Sequence, residues 1–368
     1  MAPTRTARRL ARRLSRPCLL AVAALLAPLL PGAPASAAAP AAVPVAAAGV
    51  GCGTSVGRVP LDTTYNPATG RYELNDPVRG NHKTYDMRQG TSGGTLVTDD
   101  DNVWCEGGRQ ADAVAAHYVH AVFWDYFLAA HGRKGPRGDG KAGCSRVHYG
   151  NRYLNAFYES TTGCMVYGDG AGTPVGPLTR IDVGVRGFTA GVVAAIGVPG
   201  YSGEAAGLNE ATRDLFTASA EFRAANTTDP GDYLIGEFAG STTAPRRMDH
   251  PSLDGHSPDS WSPGTGQLAP VYAAGPADHF FYLLSEGSGP KDIGGVHYDS
   301  PTYDGKPVTG IGREKAAAIW YRALTLYLTP TANYRAARAA TVQAAVDLYG
   351  KGPEPLAVGA AWTAVNVG

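Results

Sequence analysis

Residues 182–191 read Asp182-Val183-Gly184-Val185-Arg186-Gly187-Phe188-Thr189-Ala190-Gly191, and residues 207–214 read Gly207-Leu208-Asn209-Glu210-Ala211-Thr212-Arg213-Asp214. We read a helix over 181–197 and a second over 206–226. The first contains Gly184, Gly187, Gly191 and Gly197. Each interior glycine costs roughly 0.5–1 kcal/mol relative to alanine, so this helix needs tertiary burial to persist. After Asp182 the first string has no acid and no histidine. The second places Glu210 and Asp214 four apart, hence on one face of a helix. Taken alone, such a pair describes a solvated face.

The flanking sequence has two textures. From 51 to about 105, short polar and apolar alternations are broken by Asn66-Pro67, Asn75-Asp76-Pro77 and Ser92-Gly93-Gly94, a β-rich pattern. Over 110–131 the period changes: Val114, His117, Tyr118, Ala121, Val122, Trp124, Asp125 and Leu128 recur at three and four, which predicts a helix. Strand and turn return over 144–178. After an irregular stretch, helices are expected at about 276–287, 312–328, 333–349 and 355–364. Strands first and helices second predict an α+β fold, with a β-rich N-terminal lobe, a mainly helical C-terminal lobe and a cleft between them.

The N-terminus reads as an export signal. Arg5, Arg8, Arg9, Arg12, Arg13 and Arg16 precede an apolar run from Leu19 to Leu30 and a small-residue site at Ala35-Ser36-Ala37. The run is too short and too interrupted by proline for a permanent membrane anchor. The expected divisions are therefore a signal peptide at 1–37, an Ala/Pro-rich linker at 38–52, the β-rich lobe at 53–182, the central helix at 183–198 and the helical lobe at 199–368. The full chain balances 32 basic against 32 acidic residues; without the leader the count is 26 against 32, net −6. A mildly acidic exported chain is a poor nucleic-acid binder. Cys52, Cys105, Cys144 and Cys164 remain after the leader, an even number that reads as two disulfides. Cys52–Cys105 and Cys144–Cys164 is the local choice among three connectivities.

Several separated motifs occur in order: His148-Tyr149-Gly150, Asn155-Ala156-Phe157-Tyr158, Tyr167-Gly168-Asp169-Gly170, Asp182-Val183, Tyr201, the 207–214 string, Gly310-Ile311-Gly312-Arg313 and Tyr321-Arg322-Ala323-Leu324. Together they resemble the thermolysin family of neutral zinc metalloendopeptidases, from about residue 55 to the C-terminus. That resemblance implies a thermolysin-like two-lobed fold. It also implies a zinc site made by His-Glu-x-x-His on the central helix, with a glutamate from the next helix as third ligand and a bound water activated by the metal.

This chain departs from the pattern where the chemistry sits. On the register set by Asp182-Val183, the two zinc histidines fall on Arg186 and Ala190 and the general base on Gly187. The later histidine that stabilises the oxyanion falls on Val271. Glu210, Asp214 and Tyr201 keep the family residue. Asn155 and Ala156 match the substrate-binding edge, and Arg246 matches the arginine that grips a substrate carbonyl. One carboxylate cannot hold zinc against hydration. A guanidinium about 4 Å from the cation would add several kcal/mol of repulsion at an effective dielectric near 20. Zinc is therefore expected to be absent, and Arg186 is expected to pair with Glu210 in the vacated position. Asp214 would have no histidine to hold. The resemblance also implies a long prosegment, and about fifteen residues separate the expected leader from the β-rich lobe; a chain with no activity to restrain and a truncated gene sequence both fit that.

Calcium is a separate expectation. Asp182, Glu221, Asp232 and Glu237 match the family's calcium-ligating carboxylates, and Leu234 replaces a further acid, so one site is expected rather than two. His117, His120, His148 and His279 read as packing or surface histidines, not metal ligands. The functional reading is a secreted, extracellular, monomeric pseudopeptidase that binds a peptide or protein segment in its cleft without cutting it. Two other readings stay open: an active zinc endopeptidase using non-standard ligands, and an inhibitor or decoy for related proteases.

Overall fold

The structure, a computed structural model, describes residues 43–170, 172, 176–236 and 246–368. The expected signal peptide and Glu237 lie outside the described residues.

The β-rich part opens with β1 (Val45–Gly53), β2 (Gly57–Asn66), β3 (Arg71–Glu73), β4 (Asn75–Asp76), β5 (His82–Asp86), β6 (Thr95–Leu96), β7 (Thr98–Asp99) and β8 (Val103–Trp104). Helix α1 (Gly108–His131) follows, then β9 (Cys144–Val147), β10 (Ala156–Glu159) and β11 (Cys164–Tyr167). One sheet has the order β7-β3-β2-β1-β8; the other runs β10-β11-β9-β5-β4, with β6 on β5. Among the described residues strand β10 ends its sheet and pairs only with β11, Ala156 opposite Tyr167.

The linker expected at 38–52 is corrected over 45–52. Val45 to Gly53 pair residue for residue with Tyr65 to Gly57, and Val50 and Gly51 pair with Val103 and Trp104. Composition hid this strand because its side chains are small; backbone pairing and the Cys52–Cys105 bond hold it instead. The second disulfide joins Cys144 to Cys164 on adjacent strands. Both local pairings chosen from the sequence are present.

The helical part comprises α2 (Ile181–Ile196), α3 (Gly203–Ala224), the short α4 (Pro270–Ala273), α5 (Gly275–Glu286), α6 (Arg313–Leu326), α7 (Tyr334–Tyr349) and α8 (Pro353–Ala364). Two small antiparallel pairs accompany them: β12 (Leu234–Ile235) with β13 (Arg246–Arg247), and β14 (Gly289–Ile293) with β15 (Val296–Ser300). The hairpin over 289–300 had no sequence expectation. Helix ends follow local chemistry. Gly132 and Gly197 close α1 and α2 in the left-handed conformation, and the Asn333 side chain accepts from the Ala336 N–H at the start of α7.

The glycines of α2 are contact positions. A Cβ on Gly184 would lie 2.3 Å from Val119 Cγ1, and one on Gly191 would lie 2.6 Å from the Tyr158 ring. Close approach to α1 and β10 offsets the weak helix propensity. Helix α3 runs through the centre. From Ala205 to Glu221 every residue is buried except Glu210 and Arg213. A buried helix that keeps two charged residues at its surface marks where a site can lie.

Histidines 117, 120, 148 and 279 are all buried, so the packing half of their reading holds and the surface half does not. His82 and His120 stack face to face with ring centroids 3.6 Å apart. Among the described residues no helix is long and apolar enough to cross a membrane.

Candidate functional site

A cleft of about 750 Å³ lies between the edge of β10, the first part of α2 and the middle of α3. Asn155, just before β10, and Ala156, its first residue, line one side; Asp182, Arg186, Gly187 and Ala190 line it from α2; Tyr201, Arg213, Arg246 and Val271 line it from the far side. The fold thus gathers most of the sequence-selected residues in one place. Glu210 and Asp214 stand behind Arg186, within its reach.

Arg186 organises the floor. Its Nη2 donates to Glu210 Oε2, and its Nε donates to Asp214 Oδ1 at 2.6 Å. The expected Arg186–Glu210 pair is present. Arginines stand where the resemblance would put a histidine beside Asp214: besides Arg186 it has Arg246 Nη1 at 2.6 Å from Oδ2. Arg246 also reaches the Val271 carbonyl at 3.4 Å. The guanidinium assigned to a substrate carbonyl is therefore turned toward a buried acid. Asp214 is fully buried, which alone would raise its pKa; the charges of Arg186 and Arg246 override burial and hold it below the usual carboxylate range. Arg186 shows the mirror effect. Burial works against its charge, but Asp214 and Glu210 raise its pKa and keep it charged.

Three participants were missed from the sequence. Arg213 places Nη2 3.0 Å from Glu210 Oε1, so each oxygen of Glu210 faces a guanidinium. Its position three residues after Glu210 was the available signal. Asp278 lies buried on α5 with Arg246 Nη1 3.9 Å away; burial first, then the Asp214 charge, pushes its pKa well up. No local pattern announces it, because α3 and α5 meet only in the fold. Met165 occupies the space over Gly187, where an added Cβ would fall 2.3 Å from its Sδ.

Tyr201 is 64% exposed and its hydroxyl accepts from Arg213 Nη2 at 3.2 Å. Asn155 Oδ1 accepts from the Ala156 N–H at 2.9 Å, at the open edge of β10.

The donor set does not fit zinc. Gly187 and Ala190 offer no ligand, Arg186 is a cation, and both Glu210 oxygens already face guanidinium groups. Asp182 accepts from the Val183 N–H at 2.8 Å and the Gly236 N–H at 3.0 Å, and Asp232 accepts from the Leu234 N–H at 2.7 Å. Glu221 and Asp232 do not line the cleft. Among the described residues no three of His, Cys, Asp and Glu converge as a metal site. A neighbour that the sequence did not suggest, Asp229, is pushed up to about 6 by burial and then by the Asp182 charge.

The comparisons agree with the fold. Residues 48–194 match the thermolysin metallopeptidase catalytic domain, and residues 200–367 match the thermolysin metallopeptidase alpha-helical domain. A transglutaminase-activating metalloprotease of Streptomyces mobaraensis is 51% identical over 328 residues, covering 87% of this chain and 42% of that protein. A thermolysin of Alicyclobacillus acidocaldarius is 39% identical over 340 residues, covering 87% of this chain and 57% of its own. The chain thus spans about half the length of these curated relatives. Among solved structures, the precursor of protealysin, a metalloproteinase from Serratia proteamaculans, superposes with a TM-score of 0.62 at 25% identity, covering 78% of this chain and 87% of that one. With two adjoining domains matched in order, strands before helices and a cleft between them, the chain belongs to the thermolysin family of metallopeptidases.

Proposed function

We propose that this protein is an exported, non-hydrolytic member of its family that holds a peptide segment in the cleft. The observation that carries the reading is the Arg186 guanidinium, paired with Glu210 and Asp214 where the resemblance puts a zinc ligand. A cation already neutralises the acids that a metal would need, and no side chain at 187 can take a proton from water. Peptide-binding features persist beside it. An edge strand offers its open backbone to an extended chain, and the cleft is large enough for several residues. Two disulfides support an oxidising, extracellular setting.

Zinc content and amide cleavage test the reading together. After dialysis against zinc, the protein is expected to hold far less than one equivalent and to leave casein uncut. The combined change of Arg186→His, Gly187→Glu, Ala190→His and Val271→His is expected to restore zinc binding, with Met165 swinging away from the new glutamate. Stoichiometric zinc in the parent protein, or cleavage abolished by phenanthroline, would overturn the proposal.

Calcium belongs to the same proposal, near Asp182, with Glu221, Asp232 and Glu237 as the further acids that the resemblance supplies. The support in the structure is that Asp182, Glu221 and Asp232 are all buried acids, whose charge a divalent cation held by oxygen ligands would neutralise. Chelation is expected to lower the melting temperature by about 5 °C, the scale of a ligand present at a hundredfold its Kd. An unchanged melting curve counts against calcium here.

A further inference from the structure

Arg186 and Arg213 both bind Glu210, and both still face the cleft. A guanidinium carries five N–H donors. Arg186 commits Nε to Asp214 and Nη2 to Glu210. Arg213 commits Nε and Nη2 to Asn209 Oδ1 at 3.1 and 2.9 Å, with Nη2 also near Tyr201 and Glu210. Among the described residues, neither Nη1 makes a hydrogen bond. Locally three guanidinium groups, those of Arg186, Arg213 and Arg246, face Glu210, Asp214 and Asp278, and burial together with the Asp214 charge favours the neutral form of Asp278.

The second guanidinium is also held rigidly. Asn209 is itself fixed by its donation to the Pro199 carbonyl at 2.8 Å, and the Arg213 guanidinium carbon lies 5.6 Å from the Tyr201 ring centroid. A cation fixed on three sides with donors left over is preorganised for an anion, because little side-chain entropy remains to be lost on binding. The surrounding cleft is partly apolar, with Leu154, Phe157 and Ile235 in its lining. A peptide that buries apolar side chains there and ends or branches in a carboxylate would answer both features.

We propose that the cleft selects peptide segments bearing a carboxylate, and that the Nη1 groups of Arg186 and Arg213 are the specificity determinants. This rests on the peptide-binding reading above and adds the class of segment.

The test uses three hexapeptides of one apolar sequence, measured by calorimetry at low salt on the full-length protein. The first is capped at both ends and neutral, the second is capped with a central glutamate, and the third has a free C-terminal carboxylate. At least one carboxylate peptide is expected to bind tenfold or more tighter than the neutral one, and which does so separates a side-chain from a terminal carboxylate. Half-molar salt should shrink that advantage. Arg213→Gln is expected to bring the carboxylate peptide within threefold of the neutral peptide measured on the same variant. Arg213→Lys, which keeps charge but not the fork, should retain part of the preference and serves if the glutamine variant folds poorly. Equal binding of all three peptides overturns the carboxylate preference and leaves the peptide-binding reading standing. No binding by any of them overturns both.

Discussion

Arg186→Met should lower the unfolding free energy by about 3 kcal/mol at neutral pH, the lower end of the range for breaking a buried ion pair from one side. The side chain links two acids on α3, and Asp214 is fully buried. Removing the cation leaves Asp214 with Arg246 alone and Glu210 with Arg213 alone. Those surviving partners are why the loss falls at the low end. Methionine matches the length of the arginine stem, so little of the effect is cavity formation. Arg186→Lys should fall between, because one ammonium cannot repeat two divergent hydrogen bonds.

The pH dependence separates charge from packing. The folded pKa of Asp214 is depressed in the parent, so its stabilising share is present above the unfolded carboxylate value near 3.8 and is lost as pH falls through the lower folded value. In Arg186→Met the folded pKa rises and that share disappears. The gap between parent and variant should therefore be full at neutral pH and shrink as pH falls toward about 4, where Asp214 can take a proton in the variant. Urea melts at three pH values measure it. A variant as stable as the parent at neutral pH would mean that Arg186 is not holding the acids.

What the sequence made legible, and what it hid, divides along the range of the interactions. The helix over 110–131 follows from periodicity, and it, the helix over 206–226 and the four later helices have observed bounds within three residues of those expected. The gathering of Asn155, Arg186, Tyr201, Arg246 and Val271 around one cleft followed from resemblance, because their separations in the chain exceed any local pattern. Arg213 and Asp278 were missed for different reasons. Arg213 lies beside Glu210 on the same helix face and was readable from spacing; Asp278 meets Asp214 only because α5 packs on α3. The strand at 45–53 was hidden because small residues give neither alternation nor bulk, although they pair well. The glycines of α2 looked like weakness and are contact positions, since weak propensity is visible in sequence and the neighbour that compensates it is not.

Acid should unfold this protein in a narrow window below the ordinary histidine pKa, and the buried histidines are the reason. His82, His117, His120, His131 and His279 all have lowered pKa values, with burial the first cause in each, and His131 falls to about 4. Asp62, Asp76 and Arg79 face His117; the Asp76 and Asp62 charges favour its proton, while burial and Arg79 oppose it. His148 is the exception: its bond to Asp169 overcomes burial and raises its pKa. For a group with a depressed folded pKa, the unfolded chain binds the proton first, so stability is intact above about 6.5 and falls as pH drops below it. Each such histidine contributes up to about 1.4 kcal/mol per pH unit. Below about 6.5 His148 is protonated in both states and opposes nothing, so the five depressed histidines set a slope of up to about 7 kcal/mol per unit, and an ordinary stability of about 5–15 kcal/mol is consumed within about one to two units. His120 isolates the effect. It is fully buried against His82 and Phe188, and neither ring nitrogen has a hydrogen-bond partner among the described residues. His120→Phe keeps the ring and strands no polar group. It should remove about one proton from those taken up on unfolding and gain about 1.4 kcal/mol per pH unit over the parent below about pH 6, with the two converging above about pH 7.5. Parallel stability profiles for parent and variant across that range would show that His120 does not resist protonation in the fold.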